Sequence, residues 1–271
     1  MPLNSTPAKS VTNRMKQRLA EGEIVLSMSA RISRTADIVV IAESAGFDAL
    51  FIDLQHSAMD IDDAAQMCVS ARLAGVTPLV RVPSHDPRMA GRVLDGGAQG
   101  IIFPDVNTAE EATSVAAACR FPPRGTRSMA GPPVQMGYRA LPAKEATQLL
   151  NDSTLVIAMV ESATGLANAD AIAKVDGVDI ILIGTNDLCA DLGIHGQLDH
   201  AKVSEAYETV ARACRAHGKH LGIGGIRNDV PLLTKFVRMG ARFISAGTDT
   251  AFLMAYAKAQ ATELRAIKPS S

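Results

Sequence analysis

The sequence has few aromatic side chains and no long apolar segment. Among its 271 residues there is no tryptophan, and there are only three tyrosines. No run approaches the roughly 18 apolar residues that a membrane-spanning helix needs, and residues 1–22 lack the apolar stretch of a secretory signal peptide. The net charge of −1 gives no sign of a nucleic-acid or membrane partner. These absences predict a cytoplasmic protein with small-molecule partners.

The four cysteines lack the spacing of a metal site or of a CxxC redox motif. They are Cys68, Cys119, Cys189 and Cys214. Scattered cysteines of this kind are typical of reduced thiols in a cytoplasmic protein.

Short apolar runs alternate with helical patterns through most of the chain. Hydrophobic residues make up 47% of the sequence, which is enough to build a sizeable core. The segments between the runs carry apolar residues at i, i+3 and i+4, and several end in glycine, as helices with a C-cap do. The eight runs occupy residues 24–29, 48–54, 77–82, 100–106, 154–162, 179–185, 220–226 and 242–248.

Eight strands that each precede a helix predict an α/β protein with a closed (β/α)₈ TIM barrel. We assign the barrel to residues 21–271 as a single domain, after an N-terminal arm at residues 1–20. A doubly wound open sheet is the alternative, although no GxGxxG motif follows the first strand. The long connection at residues 121–152 is typical of a lid, an interface or a disordered loop.

Active sites of (β/α)₈ barrels lie at the C-terminal ends of the strands. In this sequence, titratable residues gather at those ends, whereas the strand interiors are almost wholly apolar. The second strand ends in DLQH at residues 53–56, the fifth ends at Glu161, and the sixth ends in GTND at residues 184–187. Arg81 lies within the third strand, between two valines.

Glu161 and Asp187 end adjacent predicted strands, so their carboxylates can converge. Two neighbouring carboxylates repel each other unless a cation lies between them. Oxygen ligands suit a hard divalent cation such as Mg²⁺ or Mn²⁺. The alternative is that each carboxylate caps the helix that follows it.

Arg81 and His56 are candidates for chemistry at the same rim. A buried arginine needs an anionic partner, which is either a structural carboxylate or a substrate carboxylate or enolate. His56 is either a general base or a hydrogen-bonded loop residue. No lysine lies at the predicted rim, so an iminium mechanism is not expected and an enolate would need a metal ion.

Six segments identify a resemblance to a known family. They are FDALFIDLQHSAMD, PLVRVPSHDP, LDGGAQGIIFPDV, RFPPRGTRS, VIAMVESATGLANADAIAKVDGVDIILIGTNDLCADLG and FISAGTDT. Over residues 20–262 the chain resembles the HpcH/HpaI aldolases, pyruvate-dependent class II aldolases of the phosphoenolpyruvate/pyruvate barrel superfamily. The resemblance implies a lyase that reversibly cleaves a 4-hydroxy-2-oxo acid into pyruvate, or a related 2-oxo acid, and an aldehyde.

The resemblance also implies roles for individual residues. Glu161 and Asp187 would hold a divalent metal cation, Mg²⁺, Mn²⁺ or Co²⁺. The carboxylate of the 2-oxo acid would bind at Thr185, Asn186 and Asp187, through backbone N–H groups at a helix start. Arg81 would stabilise the enolate oxygen.

The remaining family roles concern proton transfer and assembly. His56 would take the proton of the 4-hydroxyl, and Asp53 would orient either His56 or a metal-bound water. Asp95 would pair with the catalytic histidine across a subunit boundary. The family is typically hexameric with its last helix swapped between neighbours, which implies a homo-oligomer, a hexamer or a trimer.

The chain departs from the family pattern near the predicted site. Gln55 replaces a carboxylate, Met159 replaces a common glutamine, and residues 185–186 read Thr-Asn instead of Pro-Ala. These changes predict a reshaped acceptor pocket. Arg124 and Arg127 either reach an acceptor carboxylate or form interface salt bridges.

Two other functions remain open at this point. A citrate-lyase β-like enzyme would act on a CoA thioester and would need a basic entrance for the CoA phosphates, for which the arginines in residues 120–127 are candidates. A non-catalytic barrel that binds a 2-oxo acid is the non-enzymatic alternative.

Overall fold

The structure, a computed structural model, describes residues 11–268. Eight parallel strands form a closed barrel in which each strand pairs with its neighbours in the chain, and β8 pairs with β1. The predicted (β/α)₈ barrel is therefore confirmed, and the open-sheet alternative is wrong. The strands are β1 (Val25–Ala30), β2 (Ala49–Asp53), β3 (Thr77–Arg81), β4 (Gly100–Phe103), β5 (Leu155–Val160), β6 (Ile180–Gly184), β7 (His220–Gly224) and β8 (Ala241–Thr248).

Helices surround the barrel and connect its strands. They are α1 (Arg14–Ala20), α2 (Asp37–Ser44), α3 (Ile61–Ala74), α4 (Pro87–Asp95), α5 (Ala109–Ala118), α6 (Ala143–Ser153), α7 (Ala163–Ala167), α8 (Ala169–Lys174), α9 (Thr185–Asp191), α10 (Ala201–Ala216), α11 (Val230–Met239) and α12 (Asp249–Arg265). Local sequence explains many of their ends. Thr108 and Glu111 form a capping box at the start of α5, and Gly75 ends α3 in the left-handed conformation (φ 77°).

The strands are apolar on both faces because both faces are covered. Every residue of β2, β3, β4 and β5 is buried. Outward-facing side chains pack against the helices, and inward-facing ones fill the barrel. Burial on both sides produces the continuous apolar runs of the sequence.

Helix α1 closes the N-terminal end of the barrel. Met15 and Leu19 are 0% and 2% exposed and join the interior cluster that includes Val25 and Phe243. The side chain of Asn13 donates hydrogen bonds to backbone oxygens on two connections that enter strands, at 3.1 and 2.7 Å. Residues 1–10 of the predicted arm lie outside the described residues, and the division of the chain at residue 21 stays a prediction.

The long connection at residues 121–152 folds against the barrel. It contains a 3₁₀ turn at Val134–Met136 and most of α6. Phe121, Met136 and Leu150 form a small buried cluster. The connection is thus a folded segment that packs through its own buried cluster.

Helix α12 leaves most of its surface uncovered. Of its residues only Asp249 is buried, and Leu253, Met254 and Tyr256 are 61% to 71% exposed. Exposed apolar patches of this kind are typical of interaction surfaces. Exchange of this helix between subunits stays a prediction.

In residues 11–268, no helix combines the length and hydropathy needed to cross a membrane.

Candidate active site

A cavity of about 110 Å³ opens at the C-terminal ends of the strands. This small volume suits an organic acid of a few carbon atoms. Its walls come from the ends of seven strands and the loops after them. The lining residues are Ser29, Arg31, Phe51, Asp53, His56, Arg81, Met159, Glu161, Leu182, Gly184, Thr185, Asn186, Asp187, Gly224, Gly225, Arg227, Ser245, Gly247 and Thr248.

Glu161 and Asp187 meet in this cavity. Glu161 directly follows β5 and is 7% exposed, and its Oε1 accepts a hydrogen bond from the backbone N–H of Asp105 at 2.9 Å. Burial raises the pKa of Glu161 to about 7. The carboxylates of Asp105 and Asp187 raise this pKa as well, whereas the Asp105 N–H and the charge of Arg81 lower it.

Helix capping does not account for these two carboxylates. The cap of α7 is Ser162, whose Oγ accepts from the Gly165 N–H at 3.0 Å. Helix α9 begins after Gly184 with no side-chain cap. Both carboxylates therefore face the cavity without a capping role.

The donor set fits a hard divalent cation. Burial is the main cause of the raised pKa of Glu161, and a cation between Glu161 and Asp187 would offset the repulsion by Asp187 that adds to it. Within residues 11–268, no group of three or more histidine, cysteine, aspartate or glutamate side chains is placed to hold a metal ion. The protein therefore offers two carboxylates, and water and substrate oxygens would fill the remaining positions, as Mg²⁺ and Mn²⁺ allow.

Arg81 and Asp53 form a buried bidentate ion pair. They are register partners in β3 and β2, and the Arg81 Nε and Nη2 atoms lie 2.9 and 2.6 Å from the two Asp53 oxygens. The guanidinium also lies 5.3 Å from the centre of the Phe51 ring. Arg81 thus has a structural carboxylate partner while it lines the cavity.

A second arginine shares the same carboxylate. The Arg31 Nε donates to Asp53 Oδ2 at 2.8 Å. Burial alone would raise the pKa of Asp53, but the hydrogen bonds and charge of Arg81, the His56 N–H and the charge of Arg31 together lower it. The Asp53 carboxylate is therefore ionised, and hydrogen bonds from two arginines hold it in place beside the cavity.

His56 lies at the exposed rim of the cavity. Asp53 Oδ1 accepts hydrogen bonds from the backbone N–H groups of Gln55 and His56, at 3.1 and 3.2 Å. Asp53 therefore orients His56 through the main chain of its loop. The backbone of His56 is thus fixed at a position that lines the cavity.

Asp95 does not line the cavity of its own chain. It lies in the last turn of α4 and binds Arg127 Nη2 at 2.7 Å. Arg124 pairs with Asp152 at 2.9 Å and is likewise absent from the cavity wall. A contact between Asp95 and His56 would require a second subunit and stays a prediction.

The first residues of α9, Thr185 and Asn186, line the cavity, and their side chains form hydrogen bonds with other parts of the chain. The buried Thr185 hydroxyl lies 2.8 Å from the hydroxyl of Tyr207. The Asn186 side chain donates to Gly225 O at 3.2 Å. The resemblance implied that main-chain N–H groups here bind the substrate carboxylate, and this mode stays a prediction.

Sequence reasoning missed two arginines of this cavity, Arg31 and Arg227. Arg31 comes directly after β1, and Arg227 comes three residues after β7. The same rule that selected the other rim residues would have found them, because both follow strand ends.

The chain is similar to known proteins over most of its length. A family model described as HpcH/HpaI aldolase/citrate lyase matches residues 31–255. The chain is 38% identical over 244 residues to a 4-hydroxy-4-methyl-2-oxoglutarate aldolase of Hapsidospora irregularis, which covers 89% of this chain and 90% of that protein. It is 36% identical over 247 residues to a 4-hydroxy-2-oxovalerate aldolase of Rhodococcus jostii, which covers 90% and 93%.

Solved structures show the same similarity. The crystal structure of an HpcH/HpaI aldolase from Desulfitobacterium hafniense matches with a TM-score of 0.89 and 30% identity, covering 94% of this chain and 98% of that one.

Proposed function

The chain belongs to the HpcH/HpaI aldolase/citrate lyase family, and from this premise we propose that its cavity reversibly cleaves a 4-hydroxy-2-oxo acid into pyruvate, or a related 2-oxo acid, and an aldehyde. The relatives named above are aldolases, which are carbon–carbon lyases. One observation carries the proposal: the carboxylates of Glu161 and Asp187 share a small cavity with Arg81 and His56, and no lysine lines it among the described residues. Without a lysine, the iminium route has no nucleophile.

Glu161 and Asp187 would hold the divalent cation. When bound, the cation supplies Lewis-acid polarisation of the 2-oxo group. The two carboxylates would fix its place beside Arg81, and Mg²⁺, Mn²⁺ and Co²⁺ are the candidates.

Arg81 would stabilise the charge that develops on the substrate. When the C3–C4 bond breaks, its electron pair delocalises onto the oxygen at C2 as an enolate. The guanidinium is held by the Asp53 carboxylate and is 6% exposed, so it needs little reorganisation to meet that oxygen.

His56 would move the proton in the cleavage direction. Its imidazole would accept the proton of the 4-hydroxyl, C4 would become the carbonyl carbon of the aldehyde, and C3 would later be protonated to give the methyl group of pyruvate. Asp53 supports this step by holding the backbone of the His56 loop.

The CoA-thioester alternative finds no support in the placement of basic residues. The arginines in residues 120–127 form ion pairs with acidic side chains: Arg120 with Asp179, Arg124 with Asp152, and Arg127 with Asp95. None of these arginines lines the cavity. We also propose a homo-oligomer, because α12 leaves apolar side chains exposed and Asp95 does not line the cavity to which His56 belongs.

The test is pyruvate release from 4-hydroxy-2-oxo acids by protein that has been stripped with a chelator and resupplied with Mn²⁺, Mg²⁺ or Co²⁺. We expect release that depends on the metal, that Glu161→Gln abolishes and that Glu145→Gln, an exposed glutamate on α6, leaves unchanged. Folded wild-type protein that releases no pyruvate with any of the three metals would refute the proposal.

A further inference from the structure

The two predicted metal ligands are held to different degrees. Glu161 is buried, and its Oε1 accepts a hydrogen bond from the Asp105 N–H at 2.9 Å. Asp187 is exposed at the cavity wall, and within residues 11–268 no hydrogen bond or ion pair holds its carboxylate. The place of Asp187 therefore depends on how the helix that carries it is held.

That helix, α9, begins at Thr185, two residues before Asp187. It has seven residues, and no side chain caps its first turn. A helix of about two turns is too short to be stable by itself, so contacts with the rest of the barrel must fix its start. Asn186 provides one such contact through its bond to Gly225 O at 3.2 Å, but this bond is exposed.

Tyr207 provides a buried contact at the same point. Its hydroxyl lies 2.8 Å from the Thr185 hydroxyl, and both residues are 0% exposed. Within residues 11–268 neither hydroxyl has another hydrogen-bond partner. A polar pair shut away from water keeps its geometry, because loss of the bond leaves two buried groups unsatisfied.

The ring of Tyr207 is itself fixed. Tyr207 lies on α10, and its ring stacks on Phe236 of α11, with 3.7 Å between the ring centres and 7° between the ring planes. Phe236 is fully buried. Burial raises the pKa of the Tyr207 hydroxyl, so this hydroxyl stays protonated and uncharged at neutral pH. Two neighbouring helices thus hold the hydroxyl that binds Thr185.

We propose that Tyr207 is a positioning residue for the predicted metal site: its hydroxyl holds the start of α9 through Thr185 and so sets where Asp187 lies relative to Glu161. The inference rests on the proposed function, in which both carboxylates bind the divalent cation, and deepens it. Tyr207 does not line the cavity, so it acts through Thr185 alone. If the two hydroxyls only stabilised the fold, their loss would lower stability without a selective effect on the cation.

Tyr207→Phe removes the hydroxyl and keeps the ring that stacks on Phe236. We expect the Mn²⁺ affinity of the chelator-stripped protein to fall about tenfold, the lower end of the range for loss of a group that orients a metal ligand. Thr185→Val, which keeps the shape of the side chain, should cause the same loss. The double variant should also lose about tenfold, rather than the roughly 100-fold of two independent effects, because both substitutions remove the same bond.

Two further variants separate positioning from stability. Thr185→Ser keeps a hydroxyl beside Tyr207 and should keep most of the affinity. Thr154→Val removes another buried hydroxyl, which donates to Leu150 O at 2.7 Å before the N-terminal end of β5, outside the cavity. It should lower the melting temperature as Tyr207→Phe does and leave the Mn²⁺ affinity unchanged. Calorimetric titration and thermal unfolding of the same metal-free samples measure both quantities, and if Tyr207→Phe does not fold, Thr185→Val against Thr185→Ser carries the test.

Metal binding and cleavage together separate this inference from the proposed function. An unchanged Mn²⁺ affinity in folded Tyr207→Phe, beside metal-dependent pyruvate release by wild type, would overturn the inference and leave the aldolase in place. A tenfold loss of affinity in a protein that cleaves no 4-hydroxy-2-oxo acid would support the positioning role and refute the aldolase. Equal losses of affinity in Tyr207→Phe and Thr154→Val would overturn the inference, and wild type that binds no divalent cation would overturn both proposals.

Discussion

Gly184 leaves the space that the carboxylate of Glu161 occupies. A Cβ built on Gly184 would lie 2.3 Å from Glu161 Oε2 and 2.8 Å from Glu161 Cβ. Neither distance is tolerable, and the crowded atoms belong to a buried side chain. Gly184, the last residue of β6, therefore leaves the room that the Glu161 side chain needs directly after β5.

Gly184→Ala should displace Glu161 and weaken metal binding. We expect the affinity for Mn²⁺ to fall by about 10- to 100-fold, as when a group that orients a metal ligand is changed. Metal titration of the stripped protein measures this. Gly91→Ala, in α4 with open space around the new Cβ, should leave the affinity unchanged. An unaltered affinity in Gly184→Ala would show that Glu161 is not a ligand.

Metal affinity should depend on pH through Glu161. Because burial raises the pKa of Glu161 to about 7, a proton competes with the metal below that pH. The affinity should rise about tenfold per pH unit below pH 7 and level off above it. Titrations at pH 6, 7 and 8 test this, and a flat profile across the range would contradict the assignment.

The metal-free protein should gain stability when Glu161 is replaced by glutamine. The folded pKa, about 7, lies above the ordinary 4.5, so the ionised carboxylate destabilises the fold once the pH has risen through this interval. At pH 8 the ionised carboxylate should lower the free energy of unfolding by about 3 kcal/mol, when the whole pKa difference between the folded and unfolded states contributes. Urea unfolding at pH 8 should show Glu161→Gln to be more stable than wild type without metal, and at pH 4.5 the gain should be small. Saturating metal should reverse the order at pH 8, because only wild type binds it.

Asp53→Asn should strongly destabilise the protein at neutral pH. It breaks a buried ion pair and leaves two arginines without their shared anion, at a cost of about 3–5 kcal/mol. The pKa of Asp53 is lowered in the fold, so this contribution is present above the ordinary value of 3.8 and is lost as the pH falls through the lower folded value. Urea unfolding at pH 7 measures the difference between wild type and variant, and the exposed Asp152→Asn serves as control.

The barrel was predictable from the sequence for a physical reason. Strands that are covered on both faces need continuous apolar runs, and in this fold an amphipathic helix follows each strand. The alternation of these two patterns therefore predicts the order of strands and helices without any knowledge of tertiary contacts. The positions of Glu161, Asp187 and Arg81 at one rim followed from the shared direction of parallel strands. Their convergence in one cavity agrees with that reasoning.

The partners of the rim residues could not be predicted in the same way. The pair of Asp53 with Arg81 depends on the register of β2 against β3, which periodicity does not fix. Arg227 lies on a loop, where no periodic pattern says which way a long side chain points. Arg127 binds Asp95 because of the way the long connection folds. The sequence around Arg127 has no strand or helix pattern from which this fold could be predicted.

Met15 and Leu19 of α1 close the N-terminal end of the barrel, and this closure limits how molecules can reach the cavity. With the barrel interior filled by apolar side chains and its N-terminal end shut, no second channel runs through the barrel of residues 11–268. In the proposed cleavage, the substrate, the cation and both products would then pass through one mouth, beside Arg227. Under that proposal, the two products would have to leave one after the other through this single opening.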